Sequence, residues 1–178
     1  MKTFIISDTH FHHKGILTFK DDDGEIIRQF KDVDEMNQTI VDNWNSVVKK
    51  NDKIYHLGDV VMKTSVWAFE ILNELNGRKI LIKGNHDTAR LNIYKRYFDD
   101  IRSSHLLRTG DRTKVVLSHI PIHPISLGNS FNVHGHLHHR LIDDPRYINV
   151  SCEIIDYKPM NFIEIIDLIR EREEVLEW

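Results

Sequence analysis

Thr3-Phe4-Ile5-Ile6-Ser7-Asp8-Thr9-His10 sets a pattern that recurs along the chain. Its apolar run is too short for a helix and is closed by polar residues, as a buried strand is. It stops at a carboxylate and an imidazole with one residue between them. Ile54-Tyr55-His56-Leu57-Gly58 leads in the same way to Asp59, and Ile80-Leu81-Ile82-Lys83-Gly84 leads to Asn85, His86 and Asp87. Val115-Val116-Leu117-Ser118 leads to His119, and Asn132-Val133-His134-Gly135 leads to His136 and His138. Open α/β sheets bind ligands just beyond their strand ends, and five runs here put polar groups there. Gly58, Gly84 and Gly135 stand just before these groups, where a glycine lets the backbone turn sharply and approach an ion.

Between the first three runs lie helical patterns. Region 34–48 puts Met36, Ile40, Trp44 and Val47/Val48 on one face and then meets Lys49-Lys50-Asn51, a C-terminal stop. Region 64–75 reads as a helix with Thr64 as N-cap and Gly77 beyond its end. A last helix is expected over 162–173, with Asn161 as N-cap and Glu164 three residues on, a variant of the capping box. Strands are expected at 3–7, 53–57, 79–82, 114–118, 131–133 and 147–150. This order gives an α/β chain with a mixed sheet arrangement. No repeat, low-complexity tract or linker divides the 178 residues, so a single domain over 1–178 is expected.

Apolar residues at 40% and charged residues at 29% are ordinary for a soluble globular chain. The 24 basic residues are outnumbered by 27 acidic ones, which argues against a duplex nucleic-acid partner. Cys152 is the only cysteine, so there is no intrachain disulfide and no thiolate metal cage. No run has membrane-spanning length, and the start shows no apolar signal region; a cytoplasmic location away from membranes is the expectation.

The unusual number is 12 histidines, concentrated near the Asp and Asn positions above and densest at His134-Gly135-His136-Leu137-His138-His139. An isolated Asp8 or Asp59 would be read as a turn or cap carboxylate; in this company each reads as a ligand. Carboxylates, imidazoles and one amide oxygen suit Mn²⁺, Fe²⁺, Zn²⁺ or Ni²⁺. A Ca²⁺ site would draw on more oxygens, and a structural zinc site on a compact set of four, usually with cysteine. Asp8, His10, Asp59, Asn85, His119, His136 and His138, with one shared, fill two divalent ions and leave room for solvent. His136 and His138, two apart, face the same way on extended backbone.

Taken together, Asp8-Thr9-His10, Gly58-Asp59, Gly84-Asn85-His86-Asp87, His119 and Gly135-His136-Leu137-His138 resemble, in order, the motifs of the calcineurin-like metallophosphoesterase superfamily. The resemblance covers residues 3 to about 160. Ser7-Asp8-Thr9-His10-Phe11-x-His13, Trp44-Asn45-Ser46-Val47-Val48 and Ser118-His119-x-Pro121-Ile122-His123 look like its small bacterial and phage branch, though Gly15 stands where that branch often has Asn. Gly58-Asp59-Val60-Val61 lacks the Asp-Arg-Gly extension of protein phosphatases, and no insertion is long enough for a cap domain. The implied fold is a two-sheet β-sandwich flanked by helices.

The resemblance implies that Asp8, His10, Asp59 and His138 hold one metal and that Asp59, Asn85, His119 and His136 hold the other. Asp59 would bridge them, and a metal-bridging hydroxide would attack a phosphodiester or phosphomonoester, small and nucleotide-like. His86 resembles the histidine that sits over the site and helps protonate the leaving oxygen. Asp87 either orients that loop or is a structural acceptor. His13, Arg28 and His123 are candidates for the substrate pocket, against a solvated or structural role for each. His56 and His134 read as satisfied core or supporting groups. The alternative function is a nuclease of the same fold, followed by a non-catalytic scaffold, which would have lost ligands; none is lost here. A metallo-β-lactamase-type reading of His134-x-His136-x-His138-His139 lacks the aspartate of that motif.

Overall fold

The structure, a computed structural model, describes residues 1–110 and 113–173. A five-stranded sheet is built from β1 (Thr3–Ile6), β2 (Lys53–His56), β3 (Arg78–Ile82), β4 (Asp100–Arg102) and β9 (Met160–Asn161), in the order β4-β3-β2-β1-β9. β1 to β4 are parallel and β9 runs antiparallel to β1. A four-stranded sheet, in the order β5-β6-β7-β8, is built from β5 (Ser104–Arg108), β6 (Lys114–Ser118), β7 (Phe131–His134) and β8 (Tyr147–Asn149). β6, β7 and β8 are parallel and β5 is antiparallel to β6.

The period-two alternation of the strands explains the layering. Ile5, Tyr55, Ile80 and Ile82 point from the first sheet into a core shared with Val115, Leu117, Phe131, Val133 and Ile148 of the second. Phe4, Ile6, Ile54 and Leu81 point the other way, against Met36, Ile40, Trp44 and Phe69. The result is a two-sheet sandwich flanked by helices, as the sequence implied. Because β1, β2 and β3 run in parallel register, as do β6 and β7, their C-terminal ends are brought together.

The helix α1 (Val33–Val47) buries Met36, Ile40 and Trp44, as the periodicity requires. Its N-cap is Asp32, whose carboxylate accepts from the amides of Asp34 and Glu35, while Glu35 accepts from the Lys31 amide. The last helix, α4 (Phe162–Glu173), is held by the expected box: Asn161 Oδ1 accepts from Ile163 N, and Glu164 Oε2 accepts from Asn161 N. Short helical turns α2 (Leu91–Tyr94) and α3 (Pro124–Leu127) complete the set.

Two expectations are corrected. Region 64–75 is a 3₁₀ helix over Val66–Asn73, and the hydroxyl of Thr64 does not cap it. The buried residues Phe69, Leu72 and Leu75 recur every three positions, which matches three residues per turn. His136 and His138 lie beyond the end of β7 with φ of 69° and 53°, so they stand on a left-handed turn and not on extended backbone.

Candidate metal centre

The loops after β1, β2, β3, β6 and β7 converge on one spot. Two overlapping groups bring ligand atoms within 4.8 Å of one another: Asp8, His10 and His138, and Asp8, Asp59 and His119. Asp59 Oδ2 lies 3.7 Å from His10 Nε2 and 3.4 Å from His119 Nε2, so one oxygen stands between two imidazoles. His119 Nε2 is also 2.8 Å from Asn85 Oδ1. His136 and His138 separate to the two sides: the His136 ring lies 5.1 Å from that of His119, and the His138 ring stacks at 5.2 Å on His10.

The protonation pattern leaves acceptors facing acceptors. His119 Nδ1 donates to the Leu57 carbonyl (2.7 Å), which turns the lone pair of Nε2 toward Asp59 and Asn85. His138 Nδ1 donates to Glu153 Oε1 (2.8 Å), which directs its Nε2 inward. Asp8 Oδ1 and both ring nitrogens of His10 are buried without a hydrogen-bond partner. Orphaned buried acceptors are costly unless a cation satisfies them. These residues therefore fit a divalent ion, and their nitrogen and oxygen donors suit the first-row metals.

The charges agree. Burial opposes ionisation of Asp8, but His10, His119 and His138 outweigh it and hold the carboxyl well below the usual carboxylate range. Burial likewise opposes ionisation of Asp59, and His119, the His86 amide and His10 pull its pKa down. Burial lowers the pKa of His10 against the pull of Asp8. For His119 and His138 burial also lowers the pKa, but the carboxylates Asp59 and Glu153 beside them prevail and raise it.

Holding the ligands in place costs backbone strain. Asp8, His10, Asp59, His136 and His138 all have φ between 49° and 69°. Left-handed backbone costs a non-glycine residue about 1–2 kcal/mol, and such strain persists where the surroundings fix it. The motif glycines serve close approach. A methyl on Gly135 would collide with Ser7 Oγ and Asp8 Oδ2, and one on Gly84 would collide with Asp59.

A supporting shell fixes this geometry. Asp87 is buried, and its carboxylate accepts from the amides of Asp59 (3.0 Å), Val60 (3.0 Å) and Gly84 (2.8 Å), clamping two ligand loops together. His56 Nδ1 accepts from Gly58 N and its Nε2 donates to Thr9 Oγ1, so it is a satisfied supporting group. His134 donates from Nδ1 to the Gly135 carbonyl, but its Nε2 is buried without a partner, unlike the satisfied group expected from sequence. Glu153 joins the cluster unannounced. It accepts from His138 Nδ1 and from Arg28 Nε (2.7 Å) through the same oxygen. The signal was present in Ser151-Cys152-Glu153, which follows β8 as the other polar clusters follow their strands.

The remaining candidates fall as follows. Asn85 and His86 are exposed at the mouth. The His86 amide donates to Asp59 Oδ1 (2.8 Å), and its ring lies 5.9 Å from that of His10. His13 stands beside the site, its ring 5.5 Å from that of His10, with its pKa pushed down to about 4 by burial and by its neighbours His10 and Arg28. Arg28 is not at a pocket wall: it is 0% exposed and donates to Glu153, the Thr9 carbonyl (3.1 Å) and the Asp8 carbonyl (2.5 Å). A long cation with this many partners supports the ligand loop from beneath. His123 is exposed and its Nδ1 accepts from Ile125 N, capping α3.

The family profile for calcineurin-like phosphoesterases matches residues 1–176. This chain belongs to the calcineurin-like phosphoesterase family. An uncharacterised protein of Methanocaldococcus jannaschii is 34% identical over 184 residues, covering 96% of this chain and 92% of the relative. The Gene 66 protein of Mycobacterium phage L5 is 29% identical over 164 residues, covering 82% of this chain and 74% of the relative. Among solved structures, the Aquifex aeolicus protein AQ665, of unknown function, superposes with a TM-score of 0.75 at 30% identity, over 94% of this chain and 99% of that one. Its Asp/His clusters could hold divalent metal. Among the described residues, no helix is long and apolar enough to cross a membrane.

Proposed function

We propose that this protein hydrolyses a small phosphodiester or phosphomonoester at a pair of divalent transition-metal ions. The observation that carries the reading is Asp59 Oδ2 standing within 3.7 Å of His10 Nε2 and 3.4 Å of His119 Nε2, with its other oxygen tied to the His86 amide. That carboxylate would be shared by two sites. Asp8, His10 and His138 would complete one of them, and Asn85, His119 and His136 the other. Bound there, divalent ions supply Lewis acidity, polarising the phosphoryl oxygens and making a water nucleophilic near neutral pH.

The side chains do the rest. Asp8 and Asp59 cancel only half the charge of two divalent ions, which leaves a cationic cavity for an anionic ester. The Asp87 clamp keeps Asp59 and the loop 84–86 in fixed relation. His86, exposed and tethered through its own amide to Asp59, would give a proton to the leaving oxygen. The net charge of −3 favours a small ester over a duplex.

The test is a screen of Mn²⁺-loaded protein against phosphomonoesters, linear and cyclic diesters, and DNA, in parallel with metal-stripped protein. Metal-dependent turnover of a small ester supports the reading. Turnover of DNA alone would replace it with a nuclease, and no turnover of any substrate would leave a binding scaffold.

A further inference from the structure

A cleft of about 560 Å³ opens directly beside His136 and His138. Its volume lies within the range of small-ligand pockets, roughly 300–1,000 Å³. Its walls include Phe19, Ile27 and Leu137, with Lys20 and Arg140 also lining it. Phe19 is 47% exposed, and its ring meets that of His13 at 5.7 Å in a T-shaped pair. His139 also lines the cleft, and neither of its ring nitrogens, both buried, has a hydrogen-bond partner among the described residues. Among the described residues the Arg140 side chain is held by one exposed pair, with Asp22, so it can turn to another anion.

Resting on the phosphoesterase reading, we propose that this cleft seats the nucleoside part of a nucleotide substrate while the ester phosphate lies at the metal centre. Each feature answers one part of such a molecule. An exposed aromatic ring with aliphatic neighbours suits the flat face of a heterocycle, and any base can stack there. An unpaired imidazole buried among apolar groups suits the polar edge of that heterocycle, since a pocket of this kind sets orientation with few polar contacts. Lys20 and Arg140 suit a further phosphate or the anionic backbone of a short strand. A glycerol or sugar phosphate would leave the apolar wall in water, and a purely aliphatic ester would leave His139 unanswered.

The experiment is isothermal titration of Mn²⁺-loaded protein with adenosine 5′-monophosphate and with ribose 5-phosphate, which share the phosphate and differ in the base. The monophosphate is expected to bind roughly 10-fold tighter, the scale of one base–aromatic stack. Phe19→Ala should abolish that preference by weakening the nucleotide alone, and Phe19→Trp should retain it. Because Phe19 is half exposed, these variants keep the fold. Equal binding of the two ligands, or equal weakening of both by Phe19→Ala, overturns the proposal. Hydrolysis of 4-nitrophenyl phosphate and of bis(4-nitrophenyl) phosphate by the same wild-type sample separates the two readings. If either is turned over while the base preference is missing, only the cleft assignment falls; if neither is turned over, the phosphoesterase reading falls.

Discussion

Glu153→Gln isolates what the supporting shell contributes. In the wild type, Glu153 is the only ionic partner of Arg28 among the described residues, at 2.7 Å, with side-chain exposures of 4% and 0%. Glutamine keeps the shape but removes the charge, leaving a buried guanidinium without its counter-ion. Breaking a buried pair in this way costs about 3–5 kcal/mol. Burial raises the Glu153 pKa, but His138 and Arg28 prevail and hold the carboxyl at about 2, against an ordinary 4.5, a difference worth about 3 kcal/mol. The two routes agree. Since the folded pKa is depressed, this stability is present above pH 4.5 and is lost as pH falls toward about 2. For a chain of this size, about 3 kcal/mol lowers Tm by roughly 10 °C. The variant also loosens the orientation of His138, so Mn²⁺ affinity should fall about 10–100-fold. Thermal unfolding of metal-free protein between pH 2 and 7 and calorimetric Mn²⁺ titration at pH 7 give both numbers. A Tm within about 2 °C of wild type at pH 7, or an acid profile identical to wild type, would show that the pair carries no stability.

The other predictions concern the site itself. His86→Ala should lower turnover about 10²–10⁴-fold while both metals stay bound, with a smaller loss for substrates with good leaving groups; metal loss measured by elemental analysis would make His86 a ligand instead. Gly135→Ala should drive a methyl into Ser7 and Asp8 and shift a ligand loop, so metal affinity should fall even where circular dichroism shows a folded chain; unchanged affinity would mean the loop yields easily. The kcat/KM for a small diester should change little between low and high salt, whereas efficient cleavage of duplex DNA with a steep salt slope would show a basic surface that the acidic balance of the chain conceals.

The strands that carry ligands were legible because an apolar run that ends in Asp, Asn or His gives both a sheet and a site in one reading. Each of β1, β2, β3, β6 and β7 was recognised, with ends off by a residue at most. β4, β5 and β9 were missed for physical reasons. Asp100–Arg102 and Ser104–Arg108 sit at sheet edges with half-exposed or alternating burial, and two residues of β9 are too few to show a period. The ligand positions were readable because their chemistry is in the side chain. The supporting groups were not, because Arg28 and Glu153 lie 125 positions apart and acquire a role only when folding brings them together. The sequence left Arg28 between the substrate pocket and a structural role, because its burial is a tertiary fact. The turn at His136 and His138 was missed because left-handed backbone leaves no mark on the spacing of side chains.

The central claim is that Asp59 joins two metal sites. Elemental analysis of protein loaded with Mn²⁺ and freed of excess ion tests it most directly. The account predicts two ions per chain in the wild type and one in Asn85→Ala or His119→Ala, because each of these removes a donor from one site only. A single ion per chain, unchanged in both variants, would contradict it.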